Sequence, residues 1–177
     1  MAGVRPTVRL PRGTTTVTLM VRDPQGASAS DTVQVVVRDT PPPTVQTTTV
    51  DFDNPPPPGQ INGVFQGLDF GTGQWQWSGA YDVNPSNHIY FADSTGTSRS
   101  FQFSPGPRVL NGMRVYATTP GTLTLSDDAG QTFTQAVTTD SLQAVTTGWT
   151  RPATTVTVSF TEAWNLGVDN ITYSTAP

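Results

Sequence analysis

Apolar and polar residues alternate in many short runs of this chain, and this period of two constrains the fold more than any other feature. Residues 16–21 and 155–160 both place Val, Leu or Phe at every second position. No segment keeps the i, i+3, i+4, i+7 spacing of an amphipathic helix. Similar runs, separated by Gly, Pro, Asn and Asp, occupy residues 75–81, 88–91, 98–103, 113–118, 122–125 and 132–137. The pattern predicts an all-β chain folded as an antiparallel β-sandwich.

The aromatic residues divide the chain into two parts. The first fifty residues contain none, whereas every Phe, Trp and Tyr lies between Phe52 and Tyr173. The proline runs 41–43 and 55–58 favour extended backbone and interrupt strand pairing. We therefore predict an N-terminal β-hairpin at residues 1–39, a Pro-rich linker at 40–46 and the working β-sandwich domain at 47–177.

The chain is poor in catalytic side chains. It has no Cys and no Lys, and His88 and Glu162 are its only His and Glu. Cysteine and lysine nucleophiles are therefore excluded, and a Ser-His-Asp triad would have to use His88. Acid and base roles would fall to Asp pairs, most of which lie in turn-like segments such as 127–130. We predict that the chain is not an enzyme, with a small glycoside-active enzyme built on Asp pairs as the remaining catalytic alternative.

The charge pattern disfavours two classes of partner. The net charge is −4 and no run of basic residues occurs, which argues against nucleic acid and against anionic membrane surfaces. No apolar run approaches the roughly 20 residues of a membrane-spanning helix. Richness in Thr, Gly, Pro and Val with few charges is common in large secreted bacterial proteins, so we expect an extracellular location, secreted or on the cell surface.

Three carboxylates are candidate metal ligands. Asp51 and Asp53 lie near the start of the predicted domain, and Asp169 lies in its closing strand. If Ile171 and Tyr173 point into the core, strict alternation places Asp169 on the same inward face, where a carboxylate needs a partner. Oxygen ligands of this kind suit Ca²⁺, so a structural calcium site is predicted. The alternative is that Asp53 caps a turn and Asp169 accepts hydrogen bonds from loop amides.

Four aromatic residues are candidates for sugar binding. Sugar rings stack their C–H faces on aromatic side chains, and the segment 73–81 combines such residues with polar ones. On a strand, Trp75 and Trp77 share a face, with Tyr81 farther along the same side, while Trp164 lies in a predicted loop. The alternative is that the tryptophans form the core, because large aromatics are usually buried. His88 has no second His or Cys at metal-ligand spacing and is predicted to be structural.

The N-terminal part carries a resemblance to a known family. Residues 10–43 contain a strand that begins near a glycine, a turn at 23–26, and a strand that begins Asp-Thr-Val. This segment resembles the final third of a PKD-type immunoglobulin-like domain. The resemblance implies a hairpin whose sandwich is incomplete, and a lone hairpin is marginal in water. We expect it to dock on the following domain or to pair with another copy, which would allow self-association.

The larger part resembles jelly-roll carbohydrate-binding modules and related bacterial secreted sandwich domains. The resemblance rests on residues 51–53, 67–70, 148–150 and 166–173. It implies a non-catalytic module, often with structural calcium, that binds polysaccharide beside PKD-like spacers. The prediction is therefore a polysaccharide-binding module of a larger secreted protein. The alternative function is a structural or adhesive module of a cell-surface or filament-forming extracellular protein, with all tryptophans in the core.

Overall fold

The computed structural model describes residues 7–38, 44–54 and 59–176. Its contacts divide the chain into two compact units, with the boundary between residues 43 and 44. Both proline runs, 41–43 and 55–58, lie outside the described residues, as does most of the predicted linker. No helix in the described part of the chain is long and apolar enough to cross a membrane.

The first unit contains the predicted hairpin. Strands β1 (Gly13–Arg22) and β2 (Ser28–Val37) pair antiparallel over their whole length. Between them the amide of Gly26 donates to the carbonyl of Asp23 at 3.1 Å, which closes the predicted turn. The hairpin is confirmed, whereas its membership of a PKD-type domain stays a prediction.

The second unit is built from short antiparallel strands. Within the described residues these are, in chain order, β3 (Thr47–Val50), β4 (Gly59–Ile61), β5 (Val64–Phe65), β6 (Leu68–Asp69), β7 (Trp75–Ser78), β8 (His88–Phe91), β9 (Ser98–Phe103), β10 (Val109–Ala117), β11 (Gly121–Asp127), β12 (Thr132–Val137), β13 (Gln143–Thr146), β14 (Thr155–Phe160) and β15 (Leu166–Ser174). The front sheet has the order β13-β10-β15-β8-β7-β4, with β3 also paired to β15. The back sheet has the order β12-β11-β14-β9-β6-β5.

The core lies between the inner faces of these two sheets. Phe70 connects them, since its ring centroid is 6.1 Å from that of Trp75 in the front sheet and 6.1 Å from that of Phe101 in the back sheet. The indole N–H of Trp75 donates across the sandwich to the carbonyl of Ser100 at 2.9 Å. The predicted all-β antiparallel sandwich is confirmed.

The last strand, β15, changes phase in its middle. Leu166 and Val168 before the change, and Ile171 and Tyr173 after it, all belong to the core. Strict alternation cannot place both pairs on one face, because Val168 and Ile171 are three positions apart, an odd number. The phase changes near Asn170, which has a φ of 48° and lies where the register with β10 shifts as a β-bulge.

This bulge corrects the prediction for Asp169. Asp169 follows the core residue Val168 directly, so it faces away from the core rather than sharing a face with Ile171 and Tyr173. It is nevertheless only 1% exposed, because the loop before β8 covers it. Burial of Asp169 is thus observed, but strand parity was the wrong reason for expecting it.

Candidate functional site

A pocket of about 290 Å³ opens on the outer face of the front sheet. This volume is close to the lower end of the range of small-molecule sites. Its lining consists of aromatic residues together with small and uncharged polar ones: Ser78, Tyr81, His88, Tyr90, Tyr116, Thr118, Trp164, Asn165 and Gly167. Within the described residues, no Asp, Glu, Lys or Arg side chain lines it.

Strand alternation places the inner side chains of the pocket. In β8, Ile89 and Phe91 belong to the core, so His88 and Tyr90, which alternate with them, face outward. In β10 the same rule turns Tyr116 outward, because its neighbours on both sides are core residues. Strands β8 and β10, which lie on either side of β15 in the front sheet, therefore present three ring side chains on one surface.

Gly167 lines the pocket between two of its tyrosine residues. In the front sheet it lies opposite Tyr90 of β8 on one side and Tyr116 of β10 on the other. The ring of Tyr116 folds over Gly167, so that a Cβ atom added there would overlap the ring. A glycine is therefore required for Tyr116 to lie against the sheet.

His88 and Tyr116 form a buried pair at the base of the pocket. Nε2 of His88 lies 2.8 Å from the hydroxyl of Tyr116, and the two rings meet edge to face with centroids 5.1 Å apart. Burial raises the pKa of Tyr116 above its ordinary value. Burial also lowers the pKa of His88, against smaller opposing contributions from the Ser86 backbone and Asp169. The base of the pocket is therefore uncharged at neutral pH, and the prediction that His88 is structural fits its burial.

The lowered pKa of His88 predicts acid-sensitive stability. In the unfolded chain His88 binds a proton near its ordinary pKa of 6.5, whereas in the folded chain burial lowers that pKa. The stability that comes from keeping His88 neutral is therefore fully present above the unfolded-state pKa of 6.5. It is lost as the pH falls toward the lower folded-state pKa. We expect the melting temperature to fall between pH 7.5 and about pH 5.5, the range in which His is the side chain that titrates. A His88→Gln variant should flatten this profile, and an equally steep profile in that variant would contradict the assignment.

Two exposed aromatic residues form the rim of the pocket. Tyr81 is 56% exposed and Trp164 is 53% exposed. The ring of Tyr81 lies beside that of Tyr116, with centroids 6.4 Å apart. Trp164 belongs to a short 3-10 turn, Ala163–Asn165, in which the Asn165 side chain accepts a hydrogen bond from the Thr118 hydroxyl at 2.8 Å. The exposed rings thus stand above a buried, hydrogen-bonded floor.

The structure corrects one of the four predicted sugar-binding residues and places a second outside the pocket. Trp75 is fully buried in the core, so the prediction that its ring stacks on a ligand is wrong. Trp77 packs against the same core and donates its indole N–H to the carbonyl of Phe52 at 3.1 Å, away from the pocket. Both tryptophans do share one face of β7, and that face is the inner one. Tyr81 is not on that side, because the chain leaves the strand after Ser78. Tyr81 and Trp164 are the two predicted residues that the pocket brings together.

The three predicted calcium ligands do not form one cluster. Within residues 7–38, 44–54 and 59–176, no group of three or more His, Cys, Asp or Glu side chains is placed to hold a metal ion. Asp53 Oδ1 accepts the backbone N–H of Asn87 at 3.1 Å. Asp169 accepts hydrogen bonds from the Ser86 hydroxyl at 2.5 Å and from the Asn170 amide at 2.7 Å. The partners of these two carboxylates are hydrogen-bond donors, whereas Ca²⁺ takes a shell of six to eight oxygen ligands. Calcium binding stays an untested prediction.

Several pocket residues were not found from the sequence. Tyr90 and Tyr116 could have been found, because each stands between two apolar residues in a run that alternates. Thr118 and Asn165 carry no such signal. Thr118 follows β10 and Asn165 precedes β15, so the two residues come together only because those strands pair in the front sheet.

Comparisons with known proteins give little that bears on this site. No family model matches the chain, and no curated protein matches it. One solved structure, described as "Structural basis for the promiscuous specificity of the carbohydrate-binding modules from the beta-sandwich super family", aligns with 94% of this chain and 73% of its own. The sequence identity is 16% and the TM-score is 0.29. A TM-score of this size assigns neither a detailed fold nor a ligand to the chain, so function has to be argued from the pocket itself.

Proposed function

We propose that this chain is a non-catalytic sugar-binding module that attaches a larger extracellular protein to polysaccharide. The observation that carries this proposal is the convergence of Tyr81, Tyr90, Tyr116 and Trp164 with uncharged polar side chains in one open pocket. The aromatic rings offer flat surfaces for the C–H faces of a sugar. The hydroxyl and amide groups of Ser78, Thr118 and Asn165 offer hydrogen-bond partners for its hydroxyls.

The exposure of the rim supports binding rather than packing. Tyr81 and Trp164 are large aromatic side chains left more than half exposed above a concave surface. A single exposed apolar residue is ordinary on a protein surface. Two exposed aromatic residues from different parts of the chain that line the same pocket indicate a binding site. The uncharged lining favours a neutral sugar over an acidic one.

The chemistry of the pocket supports a role without catalysis. Hydrolysis of a glycosidic bond ordinarily uses two carboxyl groups on either side of it, and the lining residues within the described chain include neither Asp nor Glu. The pKa of Tyr116 is raised, which keeps its phenol protonated and makes it a poor nucleophile. His88 is already engaged by that phenol.

Replacing Trp164 tests the proposal directly. In affinity electrophoresis against plant, fungal and bacterial polysaccharides, we expect the wild type to be retarded by at least one neutral glycan. Trp164→Ala should weaken that retardation several-fold, because it removes the ring surface against which a sugar would pack, and burial of apolar surface contributes roughly 25 cal/mol per Å². Its free energy of unfolding should change by no more than about 0.5 kcal/mol, since the residue is largely exposed.

A matched control separates pocket effects from surface effects. Val64 in β5 of the back sheet is 61% exposed, so Val64→Ala removes exposed apolar surface far from the pocket. It should leave retardation unchanged. Equal loss in both variants, or wild-type retardation on no glycan, would reject the pocket as a sugar site.

A structural or adhesive module is the second candidate, and the hairpin favours it. Leu19, Val21 and Val33 of the hairpin are each more than half exposed. They lie on one face of the two-stranded sheet, because Val17 is paired with Val33 and alternation repeats the side at Leu19 and Val21. Absence of glycan binding together with a concentration-dependent assembly that is lost on deleting residues 1–43 would support this function instead.

A further inference from the structure

Asp169 is the one buried carboxylate among the described residues, and it contacts the loop between β7 and β8. A carboxyl group that is 1% exposed needs hydrogen-bond partners within the protein. Its described partners are the Ser86 hydroxyl and the Asn170 amide, at 2.5 and 2.7 Å. The contact to Ser86 is short for a hydrogen bond between oxygens, so it fixes that loop to β15.

Ser86 is also hydrogen-bonded to Asn84. The backbone N–H of Ser86 donates to Oδ1 of Asn84 at 3.2 Å. The Ser86 hydroxyl, whose single hydrogen is donated to Asp169, lies 2.9 Å from the same oxygen. Asn84 is itself almost fully buried, so its side chain is held within the protein rather than in solvent. The chain Asp169–Ser86–Asn84 therefore joins the front sheet to the middle of the loop.

Asn84 in turn holds Tyr81. The amide of Tyr81 donates to the carbonyl of Asn84 at 3.0 Å, and the amide of Asn84 donates to the carbonyl of Tyr81 at 3.0 Å. Asp82 between them has a φ of 52°, as expected in so tight a turn. The exposed ring of Tyr81 is thereby placed beside Tyr116 at the rim of the pocket.

We propose that Asp169, acting through Ser86 and Asn84, is a positioning residue that holds the Tyr81 side chain over the sugar pocket. This set of contacts, Asp169–Ser86–Asn84–Tyr81, is called the loop latch. The inference rests on the proposed function, because it assigns a role in sugar binding to residues outside the pocket lining. It also gives Asp169 a role that needs no calcium ion.

Backbone hydrogen exchange tests the latch without any sugar. Ser86→Ala removes the central hydroxyl, and we expect the amides of Tyr81 and Asn84 to exchange about tenfold faster or more. The amides of Leu123 and Leu125 in the back sheet should keep their wild-type rates. Ser86→Thr retains the hydroxyl and should restore slow exchange. Unchanged exchange at Tyr81 and Asn84 in both Ser86→Ala and Asp169→Asn would overturn the latch.

A double-mutant cycle connects the latch to binding. The dissociation constant for the best glycan of the electrophoresis panel is measured for wild type, Ser86→Ala, Tyr81→Ala and the double variant. We expect Ser86→Ala to weaken binding several-fold in the wild type and to have no further effect once Tyr81 is removed, because it acts through that ring. Additive effects would overturn the positioning role, since Ser86 would then act independently of Tyr81.

The two proposals fail in different ways. If the wild type binds no glycan, the proposed function fails, while hydrogen exchange still decides whether the loop latch exists. If glycan binds but the cycle is additive, only the latch is rejected. A melting temperature that rises with Ca²⁺, falls with EDTA and loses both responses in Asp169→Asn would also overturn the latch, because Asp169 would then be a calcium ligand.

Discussion

Trp75→Ala is expected to lower the free energy of unfolding by about 3–5 kcal/mol, the range for removing a fully buried large aromatic side chain. The ring contacts Phe70 and Phe91 edge to face, at centroid distances of 6.1 and 5.3 Å. Its indole N–H also bonds the Ser100 carbonyl, which would be left without that donor. Urea denaturation followed by circular dichroism measures the change.

Trp164→Ala is the matched control for this prediction, because it removes the same side chain from an exposed position. The contrast between the two variants tests the assignment of one tryptophan to the core and the other to the pocket. A destabilisation below about 1 kcal/mol in Trp75→Ala would show that this ring does not hold the two sheets together.

Gly167→Val is expected to remove sugar binding with a smaller loss of stability. The added side chain would occupy the space of the Tyr116 ring, so the ring must move off the sheet and into the pocket. Movement of Tyr116 also breaks its contact with His88. We expect a loss of glycan affinity of about tenfold or more, equivalent to about 1.4 kcal/mol or more, and a destabilisation of about 1–3 kcal/mol from overpacking. Isothermal titration calorimetry and thermal melting measure the two effects.

Gly79→Ala is the control for Gly167→Val. A Cβ atom at Gly79 would meet its nearest neighbour, Oδ1 of Asn87, at 3.7 Å, which is ordinary van der Waals contact. This variant should keep both affinity and stability. If Gly167→Val binds glycan as tightly as the wild type, Tyr116 does not form part of the site.

The strands were the most predictable part of the fold. Predicted runs 88–91, 98–103 and 132–137 coincide with β8, β9 and β12. Each run has clear alternation and turn-forming residues on both sides, so pattern and local chemistry agree. The short strands β4, β5 and β6 were not predicted, because two or three residues are too few to show a period. They exist because neighbouring strands supply the pairing partners.

The candidate site was less predictable, and Trp75 and Asp169 show why. Period two correctly placed Trp75 and Trp77 on one face, but could not say which face is covered by the second sheet. For Asp169, a single bulge at Asn170 reversed the parity on which the argument depended. A bulge arises from the pairing of whole strands and leaves no periodic mark on the sequence.

By itself, the sequence determined that this protein is built from antiparallel strands, that its N-terminal segment forms a hairpin, and that Cys and Lys chemistry is absent. These properties follow from composition and from local alternation, which depend on neighbours in the chain. Only the tertiary structure decided that Trp75 is core and that Trp164 is rim. It alone joined Tyr81, Tyr90, Tyr116 and Gly167 in one pocket, because residues up to 89 positions apart, Ser78 and Gly167, meet there through the sheet. The order of the strands and their long-range register bring these residues together, and neither is encoded in any short segment of the chain.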